Sequence, residues 1–179
     1  MLPPGHIAAG FLTAKVLLEV THPALSQAQQ NQLLLWGMLF GFAPDLDFFY
    51  AFFKTKSLLI VGEKDVTHRK FWSHAPILWL IAGLLIYFLS GSEYWKLVGL
   101  LVWLGSWSHF ALDSIEYGIM WLWPLDKKVY AFKNREVRLV IPEKNVFKHS
   151  WQFLKIYSTT VTFYLELIII LSAIFIYLK

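Results

Sequence analysis

The 179-residue chain has no cysteine and few charged residues, and each shortage excludes a class of protein. Without cysteine there are no disulfides and no thiolate metal ligands. Charged residues make up only 16% of the chain, and the net charge of +4 is too small to indicate nucleic-acid binding. The first residues, MLPPGHIAAGF, lack the basic segment that opens a signal peptide. Hydrophobic residues reach 57%, above the roughly 45–50% of soluble domains, and therefore indicate a membrane protein.

Long apolar segments predict an all-α, polytopic membrane fold of about five helices. The length allows one domain, so we expect a single membrane-embedded helical domain over residues 1–179. The first segment is the weakest, because it contains Lys15 and Glu19, which can pair across one helical turn. The five predicted segments are His6–Val20, Leu33–Phe53, Ala75–Ser90, Leu97–Leu125 and Thr159–Leu178.

The distribution of basic residues predicts the orientation of these helices. Residues 54–74 and 124–158 hold five and eight, respectively, of the 16 lysines and arginines. Since cytoplasmic loops are enriched in lysine and arginine, the N-terminus is predicted to be cytoplasmic. The second loop contains a predicted short hairpin around residues 133–135. Asn145 is predicted to cap a helix that continues into the last span.

Ionisable residues within the fourth segment point to function, because they are costly in a membrane. His109 and Asp113 are four residues apart and share one helix face, and Glu116 extends this stripe. A histidine and a carboxylate at this spacing can bind one metal ion. The alternative is a buried hydrogen bond between His109 and Asp113 that only ties helices together.

The segment GFAPDLDFF supplies a second polar cluster. Pro44 interrupts helical hydrogen bonding, so the backbone is expected to unwind or restart there. Asp45 and Asp47 would point about 200° apart on a continuous helix. Either both reach one centre from extended backbone, or one caps the restarted helix while the other is solvated.

Depth in the membrane brings these clusters together. Asp45 and His109 each lie about 18 Å below the outer end of their segments, in the inner half of a roughly 30 Å core. Histidines at the cytoplasmic ends of the first and third segments approach the same depth. A metal ion would neutralise carboxylates that are otherwise unfavourable in hydrocarbon. The predicted ligands are His6, Asp45, His68, His74, His109 and Asp113.

The ordered motifs H…APDLD…HR…SH…SHFALD…G…WPL resemble the YdjM-like family of predicted inner-membrane metal-dependent hydrolases. The resemblance covers residues 6 to 125 and implies a helical membrane fold with a metal centre. It also implies a distant likeness to zinc-dependent phospholipase C, in which histidines and aspartates from several helices bind a zinc cluster. That likeness does not fix the substrate.

We therefore predict a membrane-bound hydrolase that cleaves a phosphoester of a lipid or lipid-linked substrate. It is predicted to hold one to three divalent ions, and zinc is the favoured metal. Asp47 or Glu116 would accept the proton. Arg69 would either clamp an anionic headgroup or anchor the chain to membrane lipid. The alternatives are an ion- or metal-coupled transporter and a non-catalytic metal-stabilised scaffold. Glu166 is predicted to orient a ligand histidine.

Overall fold

The computed structural model describes residues 1–47, 49–50, 71–116, 118–132 and 145–179, and within them it contains six α-helices and no strand. The all-helical prediction is confirmed for this part of the chain. Two short 3-10 turns, Ala43–Leu46 and Trp72–His74, flank the gap after residue 50. The helices are α1 (Pro3–Thr21), α2 (Gln27–Phe42), α3 (Pro76–Leu89), α4 (Glu93–Asp113), α5 (Val146–Tyr157) and α6 (Val161–Tyr177).

Most helices begin at a polar side chain that binds the first free backbone N–H groups. Ser26 and Gln29 form a reciprocal capping box at the start of α2. The predicted cap at Asn145 is confirmed, because its side-chain oxygen accepts hydrogen bonds from the Phe147 and Lys148 N–H groups at 3.1 and 3.2 Å. α1 and α3 are the exceptions, since neither helix has a side-chain cap from its own N-terminal segment.

The last two helices do not form the continuous helix that the sequence predicted. α5 and α6 meet at an angle of 89°. Between them stand Ser158, Thr159 and Thr160, whose hydroxyls bond to nearby backbone groups and so compete with helical hydrogen bonding. Thr160 also caps α6 by accepting from the Phe163 N–H at 3.2 Å. The prediction of one helix running into the last span was therefore wrong.

No single helix within the described ranges is both long and apolar enough to cross a membrane. Phe147–Tyr157 and Val161–Tyr177 meet the requirement only together, as a bent pair. α3 is strongly apolar but has 14 residues. The five spans stay predictions.

α4 ends at Asp113, twelve residues before the end of the predicted segment Leu97–Leu125. Gly118 has a positive φ of 80°, and its N–H donates to the carbonyl of Asp113 at 2.9 Å. Glycine adopts this left-handed conformation without steric cost, so the turn closes the end of the helix. Asp113 therefore lies on the last turn of α4, next to irregular backbone.

The chain after this turn forms a loop rather than a continued helix. Ile119 and Tyr130 pair in an isolated antiparallel bridge. The Lys128 backbone N–H and the Tyr130 hydroxyl donate to Asp126, and these bonds lower the pKa of its carboxyl. The predicted hairpin around residues 133–135 lies outside the described residues.

The helices that carry the polar residues pack around a close crossing of α1 and α2. A Cβ added at Gly10 would overlap the carbonyl oxygen of Gly37, and one at Gly41 would lie 2.5 Å from the carbonyl oxygen of His6. The two backbones are thus in direct contact. α4 packs against this pair through Leu97 and Leu101, which are buried. α6 also packs against α1, and His6 on α1 faces His109 and Asp113 on α4.

Candidate metal centre

Five of the six predicted ligands converge on one buried point, although they come from four separate parts of the fold. His6 lies in the second turn of α1, and Asp45 lies in the 3-10 turn that follows α2. His74 ends the 3-10 turn before α3, while His109 and Asp113 occupy the last turns of α4. The three histidines are 0% exposed and Asp113 is 1% exposed.

The distances between donor atoms define two overlapping triads. His6, His109 and Asp113 form one, and Asp45, His74 and His109 form the other; within each, all donor atoms lie within 4.8 Å of one another. His6 Nε2 lies 3.3 Å from Asp113 Oδ1, and the Nε2 atoms of His74 and His109 each lie 3.6 Å from Asp45 Oδ1. Ligands of a tetrahedral zinc ion with bonds of about 2.1 Å are ~3.4 Å apart. The spacing therefore suits a metal of this size.

Two of the histidines are held by their outer ring nitrogens. His109 Nδ1 lies 2.9 Å from the carbonyl oxygen of Gly41, which can only accept, so this nitrogen carries the proton. His74 Nδ1 lies 2.9 Å from Asp47 Oδ2. In both residues Nε2 then faces Asp45 at 3.6 Å. Metal-binding histidines are commonly oriented in this way.

The inner nitrogens of two histidines are left without hydrogen bonds. Within the part of the chain that the structure describes, three ring nitrogens have no hydrogen-bond partner. They are His6 Nδ1, His6 Nε2 and His109 Nε2. The two rings stack with centroids 3.7 Å apart. A buried polar atom without a partner costs about 1–3 kcal/mol. A bound cation would pair with one nitrogen of each ring and so reduce this cost, which fits a metal centre better than a closed hydrogen-bond network.

The amino group of Met1 is a member of the cluster that sequence reasoning missed. It donates to Asp113 Oδ1 at 2.9 Å, and both groups are almost fully buried. The contact exists because α1 begins at Pro3, which places Met1 beside the first turn of the helix. No spacing in the sequence signals a contact between residues this far apart.

Asp47, a predicted proton acceptor, contacts a ligand histidine. Its Oδ2 accepts from the Ser73 hydroxyl at 2.6 Å and faces His74 Nδ1. Its Oδ1 makes no hydrogen bond to any described residue. This geometry suits the orientation of His74, whereas its role as a base stays a prediction.

We expect Asp47→Ala to weaken metal affinity by about 10–100-fold, because partners of this kind orient the ligand and raise its basicity. Asp47→Asn keeps an oxygen acceptor for His74 and should lose less. The measurement is metal titration of the purified protein, with Asp126→Ala, which removes a carboxylate outside both triads, as the control. Unchanged affinity together with lost hydrolysis would instead identify Asp47 as the base.

Glu116 does not share a helix face with His109 and Asp113. The prediction of a common stripe was wrong, because α4 ends at Asp113 and Glu116 lies in the following turn. Its side chain is 3% exposed, and Oε1 has no hydrogen-bond partner among the described residues. Glu116 belongs to neither triad. Its role as a proton acceptor stays a prediction.

The other predicted residues lie away from the centre or outside the described ranges. His68 and Arg69 fall outside them, so their predicted roles stay predictions. His22 is exposed at the opposite end of α1, and His149, on α5, belongs to neither triad. Glu166 bonds to the backbone at the start of α1.

Comparison with known proteins gives one result. The family model described as YdjM inner membrane protein matches residues 1–179. No curated protein and no solved structure matches the chain.

Proposed function

The chain belongs to the YdjM inner membrane protein family, and from this premise we propose that it is a membrane-bound, metal-dependent hydrolase that cleaves a phosphoester of a lipid or lipid-linked substrate. It would be a single multi-pass domain with a cytoplasmic N-terminus and a site near the cytoplasmic face. One observation carries the proposal. Three histidines and two carboxylates form two adjoining triads that share His109, and contacts at Nδ1 orient two of these histidines.

The donor set favours zinc among the divalent ions. Imidazole nitrogens with one or two carboxylates suit zinc, and manganese or iron accepts the same ligands. His109 belongs to both triads, and one nitrogen lone pair binds one ion. The two triads therefore cannot both be complete at once, so the described residues fully ligate one ion. Any further ion would need ligands beyond them.

A divalent ion at this point supplies Lewis-acid chemistry, because it polarises a phosphoryl oxygen and makes water a stronger nucleophile. The protein holds the donors in place and keeps bulk water away, since the histidines are fully buried. The Asp45 side chain is 15% exposed, more than any other donor of the two triads. We therefore expect substrate to approach from the side of Asp45.

The surface of α5 supports a lipid substrate. Phe147, Trp151 and Leu154 are exposed and form one stripe along the helix at positions i, i+4 and i+7. Lys148 and Lys155 flank the stripe on one side. An apolar stripe beside lysines, on a helix perpendicular to the strongly apolar α6, is typical of a helix that lies at the membrane interface and contacts anionic headgroups. Such a helix would hold the site close to the headgroup layer.

The proposal predicts metal-dependent phosphate-ester cleavage by the purified protein. The assay uses wild-type protein in vesicles of phosphatidylcholine and phosphatidic acid, and separately a soluble nitrophenyl phosphodiester. We expect cleavage of the lipid that stops after chelation and returns with zinc. His22→Ala, a histidine substitution outside the triads, should retain this activity.

Three results would overturn the proposal. Absence of stoichiometric metal from wild-type protein would exclude the metal centre. Bound metal without cleavage of either substrate would indicate a scaffold. Metal uptake into vesicles without cleavage would indicate a transporter.

A further inference from the structure

Glu166 is a buried carboxylate that belongs to neither metal triad. It lies on α6, is 4% exposed, and is fully engaged in hydrogen bonds. Its Oε2 accepts from the Leu2 N–H at 3.3 Å, and its Oε1 accepts from the Gly5 N–H at 3.1 Å. The Tyr157 hydroxyl donates to Oε2 from the end of α5. Glu166 therefore joins the junction of α5 and α6 to the beginning of α1.

The first turn of α1 has no side-chain cap of its own, and the Gly5 N–H is shared between the Leu2 carbonyl and Glu166, each at 3.1 Å. Leu2 makes no side-chain cap. Pro3 and Pro4 have no backbone N–H. The N–H groups of Leu2 and Gly5 on either side of them both point at Glu166. A carboxylate is the favourable partner here, because the N-terminus of a helix carries partial positive charge.

The fit between Glu166 and this turn is close. A Cβ added at Gly5 would lie 2.8 Å from Glu166 Cγ and 2.8 Å from the sulfur of Met1. The carboxylate thus rests directly on the turn, and the residue after Gly5 is His6. Since the His6 ring makes no hydrogen bond of its own within the described residues, its position depends on the backbone of this turn and on its stacking against His109.

We propose that Glu166 is a positioning residue for the metal centre: it holds the first turn of α1 so that His6 reaches its triad. The proposal rests on the proposed function in one respect, namely that His6 binds metal. It differs from the role predicted from the sequence, because Glu166 acts through the backbone of α1 and not through a hydrogen bond to a ligand imidazole.

The test is a Co²⁺ titration of detergent-purified variants, followed by visible absorption. Glu166→Ala should weaken Co²⁺ affinity by about 10–100-fold, as loss of a ligand-orienting partner does. Glu166→Gln keeps one oxygen acceptor and should show a smaller loss. Thr162→Val is the matched control, since Thr162 lies one turn away on α6, is 1% exposed and has no hydrogen bond through its hydroxyl within the described residues. It should bind Co²⁺ like wild type.

A double variant separates positioning from general destabilisation. If Glu166 acts through His6, then His6→Ala with Glu166→Ala should bind Co²⁺ no more weakly than His6→Ala alone. Additive losses, or wild-type affinity in Glu166→Ala and Glu166→Gln, would overturn the role of Glu166 and leave the metal centre intact. Failure of wild type to bind Co²⁺ would overturn the metal centre itself. Co²⁺ binding without hydrolysis would overturn the proposed reaction alone, because the titration reads affinity.

Discussion

His109→Ala is expected to abolish stoichiometric metal binding and, with it, any metal-dependent hydrolysis. His109 is the residue that both triads share, so its loss leaves two donors in each. Removing a partner that merely orients a ligand costs about 10–100-fold in affinity, and removing the shared ligand should cost more than about 100-fold. Elemental analysis and metal titration of the purified variant measure this.

His109→Asn tests whether the loss comes from the ligand atom or from the fold. Asparagine can still donate a side-chain N–H toward the Gly41 carbonyl but lacks the inner nitrogen that faces Asp45 and Asp113. We expect this variant to bind no metal and to have the same Tm as wild-type protein from which the metal has been removed. His22→Ala removes an exposed histidine at the other end of α1 and should retain both stability and metal. A His109→Asn protein with full metal content would show that the triads are not the binding site.

Gly10→Ala is expected to destabilise the protein more than any other single-methyl addition at the crossing of α1 and α2. The new methyl would overlap the Gly37 carbonyl oxygen and would lie 3.0 Å from Gly41 Cα. These are backbone atoms, so no side-chain rotation relieves the overlap. Overpacking typically costs about 1–3 kcal/mol, and we expect the upper end, roughly 6–12 °C in Tm for a chain of this length.

The same substitution should weaken metal binding, because the crossing also holds the centre. Moving α1 away from α2 shifts His6 and the Gly41 carbonyl that orients His109. Gly91→Ala is the matched control, since a Cβ there has no neighbour within 4 Å. Thermal unfolding of both variants in detergent, followed by metal titration, makes the comparison. Equal Tm values for the two variants would contradict the close crossing.

Much of the candidate metal centre could be predicted from the polar residues of the sequence. Ionisable side chains in apolar segments are costly unless they are paired or bind an ion. Asp45, His109 and Asp113 were assigned to one point from membrane depth and helical spacing alone. The break at Pro44 follows from its missing N–H and is present as a 3-10 turn. Local chemistry of this kind can be read from a few neighbouring residues.

Features that depend on distant contacts could not be predicted in the same way. The direction of Asp47 is set by His74 and Ser73, which lie 27 and 26 residues further along the chain. The end of α4 is closed by Gly118, which lies five residues beyond Asp113 and whose left-handed conformation depends on the fold around it. The sharp angle between α5 and α6 arises from three consecutive hydroxyl residues, each of which is compatible with a helix on its own.

The contact between Gly5 and Glu166 joins residues 161 positions apart. This separation determines the order in which the two partners are synthesised. During synthesis the turn that carries His6 leaves the ribosome long before the carboxylate that contacts it. His109 and Asp113 are already made by then, but their partner on α1 is not yet fixed. Under the proposed role of Glu166, the His6 triad therefore reaches its final geometry only after residue 166 has been synthesised.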